Sequence, residues 1–247
     1  MNSPSPLAIL GLIAALIVLF SVWKGGKKRA LRQIPAFQRL QRSIELSVED
    51  GSRLQVNLGH GGLLSAHSAA GLAGLTLLQQ LAEVAADSDQ PPVATSGDGT
   101  LMVLAQDTLR STYRRLGISE HFTLELAQTT GLTPFAYAAS ALPSVLDRTA
   151  LSSAMLGLFG PEAGLIADAA QRRAGFSLGG SPALSAQAVL FAAAHEPLLG
   201  EEVYAAGAYT QANAAHAASL HTQDVLRWVI IVLIVILALA PLFGGGQ

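Results

Sequence analysis

The sequence predicts an α/β domain, a mostly parallel sheet with helices on both faces, flanked by N- and C-terminal transmembrane helices. In the middle of the chain, short apolar segments alternate with longer helical segments, a pattern typical of βαβ units. Most of the short segments are apolar throughout, as expected of strands that are covered on both faces. Uncharged apolar runs lie near both ends, at residues 7–23 and 228–243.

The two apolar runs predict membrane spans. Each is close to the shortest length with which an α-helix crosses a hydrocarbon layer of ~30 Å. A core helix would show a polar face, which neither run has. Trp23 and Trp228 close the inner ends, where tryptophan prefers the headgroup level. We therefore expect an anchor at residues 1–24, and a linker helix with a second span at residues 213–247.

Basic residues predict the orientation of these spans. Five of them follow the first run: Lys24, Lys27, Lys28, Arg29 and Arg32. Because Lys and Arg mark the cytoplasmic side, the middle of the chain is expected in the bacterial cytoplasm, with both termini outside the inner membrane. The same cluster can rest on anionic lipid headgroups. The alternative for residues 1–23 is a cleavable signal peptide, which would need a basic start and a small-residue cleavage site.

The first elements of the α/β domain follow the basic segment. Residues 35–50 carry apolar side chains at helical spacing, with Pro35 suited to the first turn and Gly51 to the C-cap. Residues 25–52 are thus a basic juxtamembrane segment and a first helix. Residues 53–58 alternate like a strand, and a glycine-rich turn leads into a helix over residues 65–87.

The remaining elements extend the α/β domain to residue 212. Further strands are predicted at 93–95, 122–127, 151–159, 176–178 and 189–194. Further helices are predicted at 100–116, 134–148 with a bend at Pro143, 160–173, a short segment after Pro182, and 201–227.

The strand-to-helix turns contain the only candidate ligand-binding residues. The weak candidates are Gly97, Asp98, Gly99, Thr100, Gly179, Gly180 and Ser181. Such turns gather at the carboxyl end of a parallel sheet, where helix N-termini can bind an anion. The alternative is structural, because short connections need glycine and capping residues in any case. Asp98 and Glu162 would stabilise helix N-termini and repel a phosphate.

The turns also give a prediction about folding. If Gly99 and Gly180 hold a positive φ, valine at either position should harm folding.

Other chemistry is weakly indicated. No dinucleotide or P-loop glycine motif is present. The six histidines lack metal-ligand spacing, and there is no cysteine. A cluster of His195, Glu196, Glu201 and Glu202 is interpreted as a solvated loop before a helix. We therefore predict no cofactor, metal or catalytic residue. The acidic remainder of the domain argues against a nucleic-acid partner.

Several motifs are similar to those of a known family. They are LRQIPA at residues 31–36, Leu104-Ala105, Arg110, FAYAA at 135–139, GEE at 200–202, YAA at 204–206, Ala208-Tyr209 and Gln223-Asp224. The chain resembles an uncharacterised bacterial family of membrane-anchored α/β proteins, a domain of unknown function. The resemblance implies this architecture and no catalytic residues.

Two functional hypotheses remain. In the first, the chain is a structural or interaction scaffold that associates with itself or with another membrane protein. The alanine-rich helix predicted at residues 201–227 favours a homo-oligomer, because small faces allow close helix packing. In the second, the domain is a membrane-tethered sensor or enzyme that binds a small anionic ligand at the strand-to-helix turns.

Overall fold

The computed structural model describes residues 34–88, 90–147, 149–173, 175–209, 222–231 and 234. The chain divides into two compact units, residues 32–210 on the one hand and residues 1–31 with 211–247 on the other. In the second unit, residues 222–231 are helical.

The predicted spans fall largely outside the described residues. This holds for residues 7–23, for the basic cluster Lys24–Arg32, and for 228–243 except 228–231 and 234. Among the described residues, no helix combines the length and the apolar character of a membrane span. Both spans therefore stay predictions.

The unit of residues 32–210 alternates strands and helices. Its described helices are α1 (Pro35–Glu49), α2 (Ser68–Val84), α3 (Gly99–Leu116), α4 (Pro134–Val145), α5 (Ala163–Arg172), α6 (Leu184–Ala193) and α7 (Ala206–Tyr209). Its strands are β1 (Arg53–Gly59), β2 (Val93–Ser96), β3 (Ala127–Thr129), β4 (Ala150–Leu158), β5 (Phe176–Gly180) and β6 (Glu196–Leu198). The bounds of β1, β2, β4 and β5 lie within two residues of those predicted from the sequence.

The six strands form one sheet in the order β3-β2-β1-β4-β5-β6, and every pairing is parallel. This confirms the α/β prediction and makes the sheet wholly parallel. The chain first builds the sheet outwards from β1 to β3, then crosses through α4 to β4 and builds the other half. The direction of winding therefore reverses between β1 and β4, and in doubly wound sheets ligands usually bind at the carboxyl ends of the strands at such a point.

Neighbouring side chains on β4 show that helices cover both faces. The hydroxyl of Ser152 lies 2.7 Å from that of Ser43 and 2.8 Å from that of Ser47, both on α1. The next side chain, Ser153, points to the other face and accepts from Asn57 at 3.1 Å. Helices α4, α5 and α6 share a core on that second face, which includes Tyr137, Met155, Phe159, Ile166 and Leu190.

The strand predicted at residues 189–194 is wrong, because these residues belong mostly to α6 and the strand follows at Glu196–Leu198. A short apolar run cannot be assigned by periodicity alone, and its alanines favour a helix. The true strand contains Pro197, which is tolerated because β6 lies at the edge of the sheet.

The strand predicted at residues 122–127 is displaced towards the C-terminus. Residues Leu124–Leu126 form a 3₁₀ turn, and β3 begins at Ala127. The side-chain amide of Gln106 on α3 donates to the carbonyls of Leu124 at 3.2 Å and Ala127 at 3.1 Å. This contact satisfies one carbonyl of the 3₁₀ turn and one at the start of β3, and it depends on a residue distant in sequence.

The helix predicted from residue 201 begins as a 3₁₀ segment at Gly200–Ala205 and continues as α7. Residues 210–221 lie outside the described part, so the alanine-rich portion stays a prediction.

Candidate functional site

The candidate site is the region between the loops that follow β1 and β4, which we call the crevice. The first loop begins at Gly59, whose φ is +65°. A Cβ there would lie under 3.0 Å from the carbonyl oxygen of Leu158 and 3.2 Å from Cζ of Phe159. Gly59 is therefore required twice, for its backbone conformation and for the close approach of the two strand ends.

His60 turns its imidazole into this region. The ring stands edge-on to Tyr137, with centroids 5.1 Å apart and an interplanar angle of 73°. Its Nε2 atom is buried and has no hydrogen-bond partner. A Cβ on Gly97 would overlap this imidazole, so the glycine provides the room for it. A buried polar atom without a partner costs about 1–3 kcal/mol, which a ligand or water can recover.

Tyr137 forms the floor of the crevice. It is fully buried, and its hydroxyl lies 3.0 Å from Oγ1 of Thr95. Burial raises the pKa of this hydroxyl well above its usual value, its hydrogen bonds with Thr95 and with the Gly59 backbone lower the pKa less, and the charge of Glu162 raises it. Tyr137 is therefore a neutral phenol at physiological pH.

Glu162 closes the crevice from the β4 side. The residue is 1% exposed, and its Oε1 accepts from the backbone N–H of Gly160 at 2.7 Å. Its Oε2 is buried without a partner. A Cβ on Gly160 would lie 2.6 Å from this oxygen. The loop thus holds Oε1 of the carboxyl group in place, whereas Oε2 lacks a hydrogen-bond donor.

Asp98 closes the N-terminus of α3. Its Oδ1 accepts from the backbone N–H of Thr100 at 2.9 Å and of Leu101 at 3.0 Å, and also from the Thr100 hydroxyl. Burial tends to raise the pKa of Asp98, but these hydrogen bonds and the proximity of His60 bring it below its usual value. The aspartate therefore occupies the position where a helix N-terminus would bind an external anion.

The turn after β2 meets the loop after β1. A Cβ on Gly62 would lie 2.6 Å from Oδ2 of Asp98, and the N–H of Leu63 donates to Oγ1 of Thr100 at 3.4 Å. Gly99 has open space around it and does not hold a positive φ. Gly97, Asp98 and Thr100 thus border the crevice.

The turn after β5 supports the loop after β4. The hydroxyl of Ser181 accepts from the N–H of Phe159 and donates to its carbonyl, both at 3.0 Å. A Cβ on Gly179 or Gly180 would press on Leu190 or Leu156, although neither glycine holds a positive φ. In the sheet order, β1 and β4 separate this turn from the one after β2.

The histidine and acids near β6 are used locally. Nδ1 of His195 lies 3.0 Å from Oγ of Ser177, and Glu196 forms an ion pair with Arg39. No group of three His, Cys, Asp or Glu suited to a metal ion occurs in the part of the chain that the structure describes.

The carboxyl edge of the sheet lacks permanent positive charge. Its described loops and first helical turns contain no Lys or Arg, whereas Asp98 and Glu162 lie there. Such a site favours neutral or cationic groups over phosphates.

The sequence patterns do not single out His60 or Tyr137, and they assign Glu162 only to helix stabilisation. The glycines around His60 could have indicated the site. They mark the turn after β1, and this turn borders the crevice because the direction of winding reverses next to β1. Nothing local marks Tyr137, whose position depends on the crossover helix.

The order of the strands, which reverses direction between β1 and β4, defines a doubly wound α/β protein. Proteins of this class bind ligands where the direction of winding reverses. The chain belongs to the family described as Domain of unknown function (DUF6754), whose profile matches residues 4–245. This confirms the predicted membership of an uncharacterised domain of unknown function, whereas bacterial origin and membrane anchoring stay predictions. No curated protein and no solved structure gives a match.

Proposed function

We propose that the protein is a two-span membrane protein whose α/β domain binds a small neutral or cationic ligand in the crevice between β1 and β4. One observation carries the proposal: Nε2 of His60 and Oε2 of Glu162 are both buried without partners, and both residues lie near Tyr137. Buried polar atoms in native proteins are normally paired, so two such atoms at one crevice indicate a missing partner.

The chemistry of the two atoms narrows the ligand. An ionised carboxylate oxygen only accepts hydrogen bonds, so Glu162 requires a donor such as a hydroxyl or amine. The imidazole nitrogen of His60 accepts or donates according to its tautomer. Because Asp98 already caps α3, the anionic ligand considered from the sequence has less support than a polyol, nucleoside or amine.

Binding is tested with the full-length protein in neutral detergent, by a thermal-shift screen of polyols, nucleosides and amines with inorganic phosphate as comparison. Each compound that stabilises the protein is then titrated against Glu162→Gln, which retains the size of the side chain but removes the acceptor oxygen. We expect affinity to fall about tenfold or more, the effect of one charge-assisted hydrogen bond. The control is Glu202→Gln, outside the crevice. Equal affinity for wild type and Glu162→Gln would refute the assignment.

A second candidate function, self-association, is favoured by the outer face of α6. Leu184 is 81% and Phe191 67% exposed, and Ala188 lies between them on the same stripe. The amide of Gln187 faces inwards, donating to the carbonyl of Ser181 at 2.9 Å and accepting from Gly200. A helix that is apolar all round is normally buried.

We propose that a second copy covers this stripe. Membrane anchoring would hold copies in one orientation at high local concentration, which favours a symmetric pair.

Orientation and assembly can be tested together because the chain contains no cysteine. Ala188→Cys on the α6 stripe should resist an impermeant maleimide in intact cells, react after lysis, and form disulfide-linked dimers on oxidation. The control Ser111→Cys lies on α3, on the opposite face of the sheet, and should show the same protection without dimers. Labelling of intact cells would contradict the cytoplasmic location, and equal cross-linking of both variants would contradict the α6 interface.

A further inference from the structure

A cavity outside the crevice lies where α3 ends. It has a volume of about 450 Å³ and is lined by Arg110, Arg114, Ser119, Phe122 and Leu124. Helix α3 starts at the carboxyl edge of the sheet and runs back, so its last turns lie away from His60 and Glu162. Four of its five lining residues are exposed, so it is an open cleft at the surface.

Two arginines give this cavity its charge. Arg110 and Arg114 are four residues apart and therefore share one face of α3. Neither guanidinium has a hydrogen-bond or ion-pair partner among the described residues, whereas Arg39, Arg115 and Arg172 each pair with a carboxylate. Like charges one turn apart destabilise a helix slightly, and an anion between them would remove that repulsion.

The helix dipole accounts for only one of these arginines. Arg114 lies in the last turn of α3, where a cation stabilises the unpaired carbonyls. Arg110 lies one turn earlier, and the dipole effect falls off within the last turn. Arg110 is exposed to solvent, so its guanidinium is accessible to a ligand.

Apolar side chains line the rest of the cavity. Phe122 is half-buried, and Leu124 is 66% exposed next to the arginines. Guanidinium groups bind carboxylates and phosphates through paired hydrogen bonds, while Phe122 and Leu124 offer contact to a hydrocarbon body.

We propose that this cavity binds an anionic amphiphile, with its phosphate or carboxylate between Arg110 and Arg114 and its apolar body against Phe122 and Leu124. A bilayer phospholipid and a soluble organic phosphate share this chemistry.

The soluble source is tested by calorimetric titration of the full-length protein in phosphatidylcholine nanodiscs. Phenyl phosphate should bind about tenfold or more tightly than inorganic phosphate, because only the former has an apolar body. The variant Arg110→Gln/Arg114→Gln should lose about tenfold or more of the phenyl phosphate affinity. Leu124→Ser should reduce phenyl phosphate affinity towards that of inorganic phosphate. The matched control is Arg42→Gln, which replaces an exposed arginine of α1. It should change neither the affinity for phenyl phosphate nor that for inorganic phosphate.

The lipid source is tested by hydrogen exchange over residues 110–124 in nanodiscs with and without phosphatidylglycerol. Protection that depends on phosphatidylglycerol and disappears in the double arginine variant identifies a lipid. Tight phenyl phosphate binding without such protection identifies a soluble ligand. The proposal is overturned if neither effect occurs, or if both persist in the double arginine variant while its thermal melt shows a folded protein.

Discussion

Replacement of Gly157 by alanine is expected to lower the free energy of unfolding by about 3 kcal/mol or more, the upper range for overpacking a core. A Cβ at this position would lie under 3.0 Å from the carbonyl oxygen and carbon of Leu58, which are backbone atoms of the adjacent strand. Strands β1 and β4 form the centre of the sheet, so neither can move away without disturbing the pairs on both sides. Chemical denaturation of the full-length protein, followed by far-UV circular dichroism, measures the loss.

The matched control for this prediction is Gly99→Ala. Gly99 is the first residue of α3, and no heavy atom lies within 4 Å of a Cβ built there. Because its backbone conformation suits any residue, alanine should leave stability unchanged or raise it by about 0.4–1 kcal/mol. Equal stability of the two variants would show that β1 and β4 do not approach as closely as described.

These glycines show where sequence-based prediction of the fold ends. A positive φ was considered at Gly99 and Gly180, because both lie in turns, yet neither holds one. Gly157 lies inside an apolar strand segment, where nothing in the sequence distinguishes it from its neighbours. Its role arises from the irregular register between Asn57 and Gly59, which is a property of the strand pair. Local composition thus predicted the parallel α/β class but not the close contacts inside it.

The candidate site was predictable to a similar extent. Gly97 and Asp98 could be assigned to a strand-to-helix turn, because glycine and capping residues mark such turns in the sequence. Which turns face each other depends on strand order, and that order depends on the crossover through α4. His60 and Glu162 are more than a hundred residues apart in the chain, so their convergence on Tyr137 follows only from the sheet topology.

A buried polar network connects this site to the centre of the sheet. Asn57 is fully buried, and its Oδ1 accepts from the Thr95 hydroxyl at 2.9 Å and from Nε2 of Gln55 at 3.2 Å. Its Nδ2 donates to Oγ of Ser153 at 3.1 Å. Thr95 in turn contacts the Tyr137 hydroxyl, so one amide supports the floor of the crevice from below.

Asn57→Leu is therefore expected to destabilise the α/β domain by about 3 kcal/mol, since each buried group left without a partner costs about 1–3 kcal/mol. Because leucine is similar in size to asparagine, the loss of stability comes mainly from the lost hydrogen bonds and not from a cavity. The control Gln41→Leu removes an exposed amide whose contact with Glu45 is 3.4 Å, and it should change stability little.

A double-mutant cycle with Thr95→Val separates the network from simple packing. Once Asn57 is absent, the Thr95 hydroxyl has already lost one acceptor, so its removal should then cost less. The double variant should be more stable than the sum of the single effects predicts, by about 0.5–3 kcal/mol. Additive effects in chemical denaturation would mean that the two side chains contribute independently. Coupling, in contrast, would show that the hydrogen bond between Asn57 and Thr95 helps to hold β1 and β2 together beneath Tyr137.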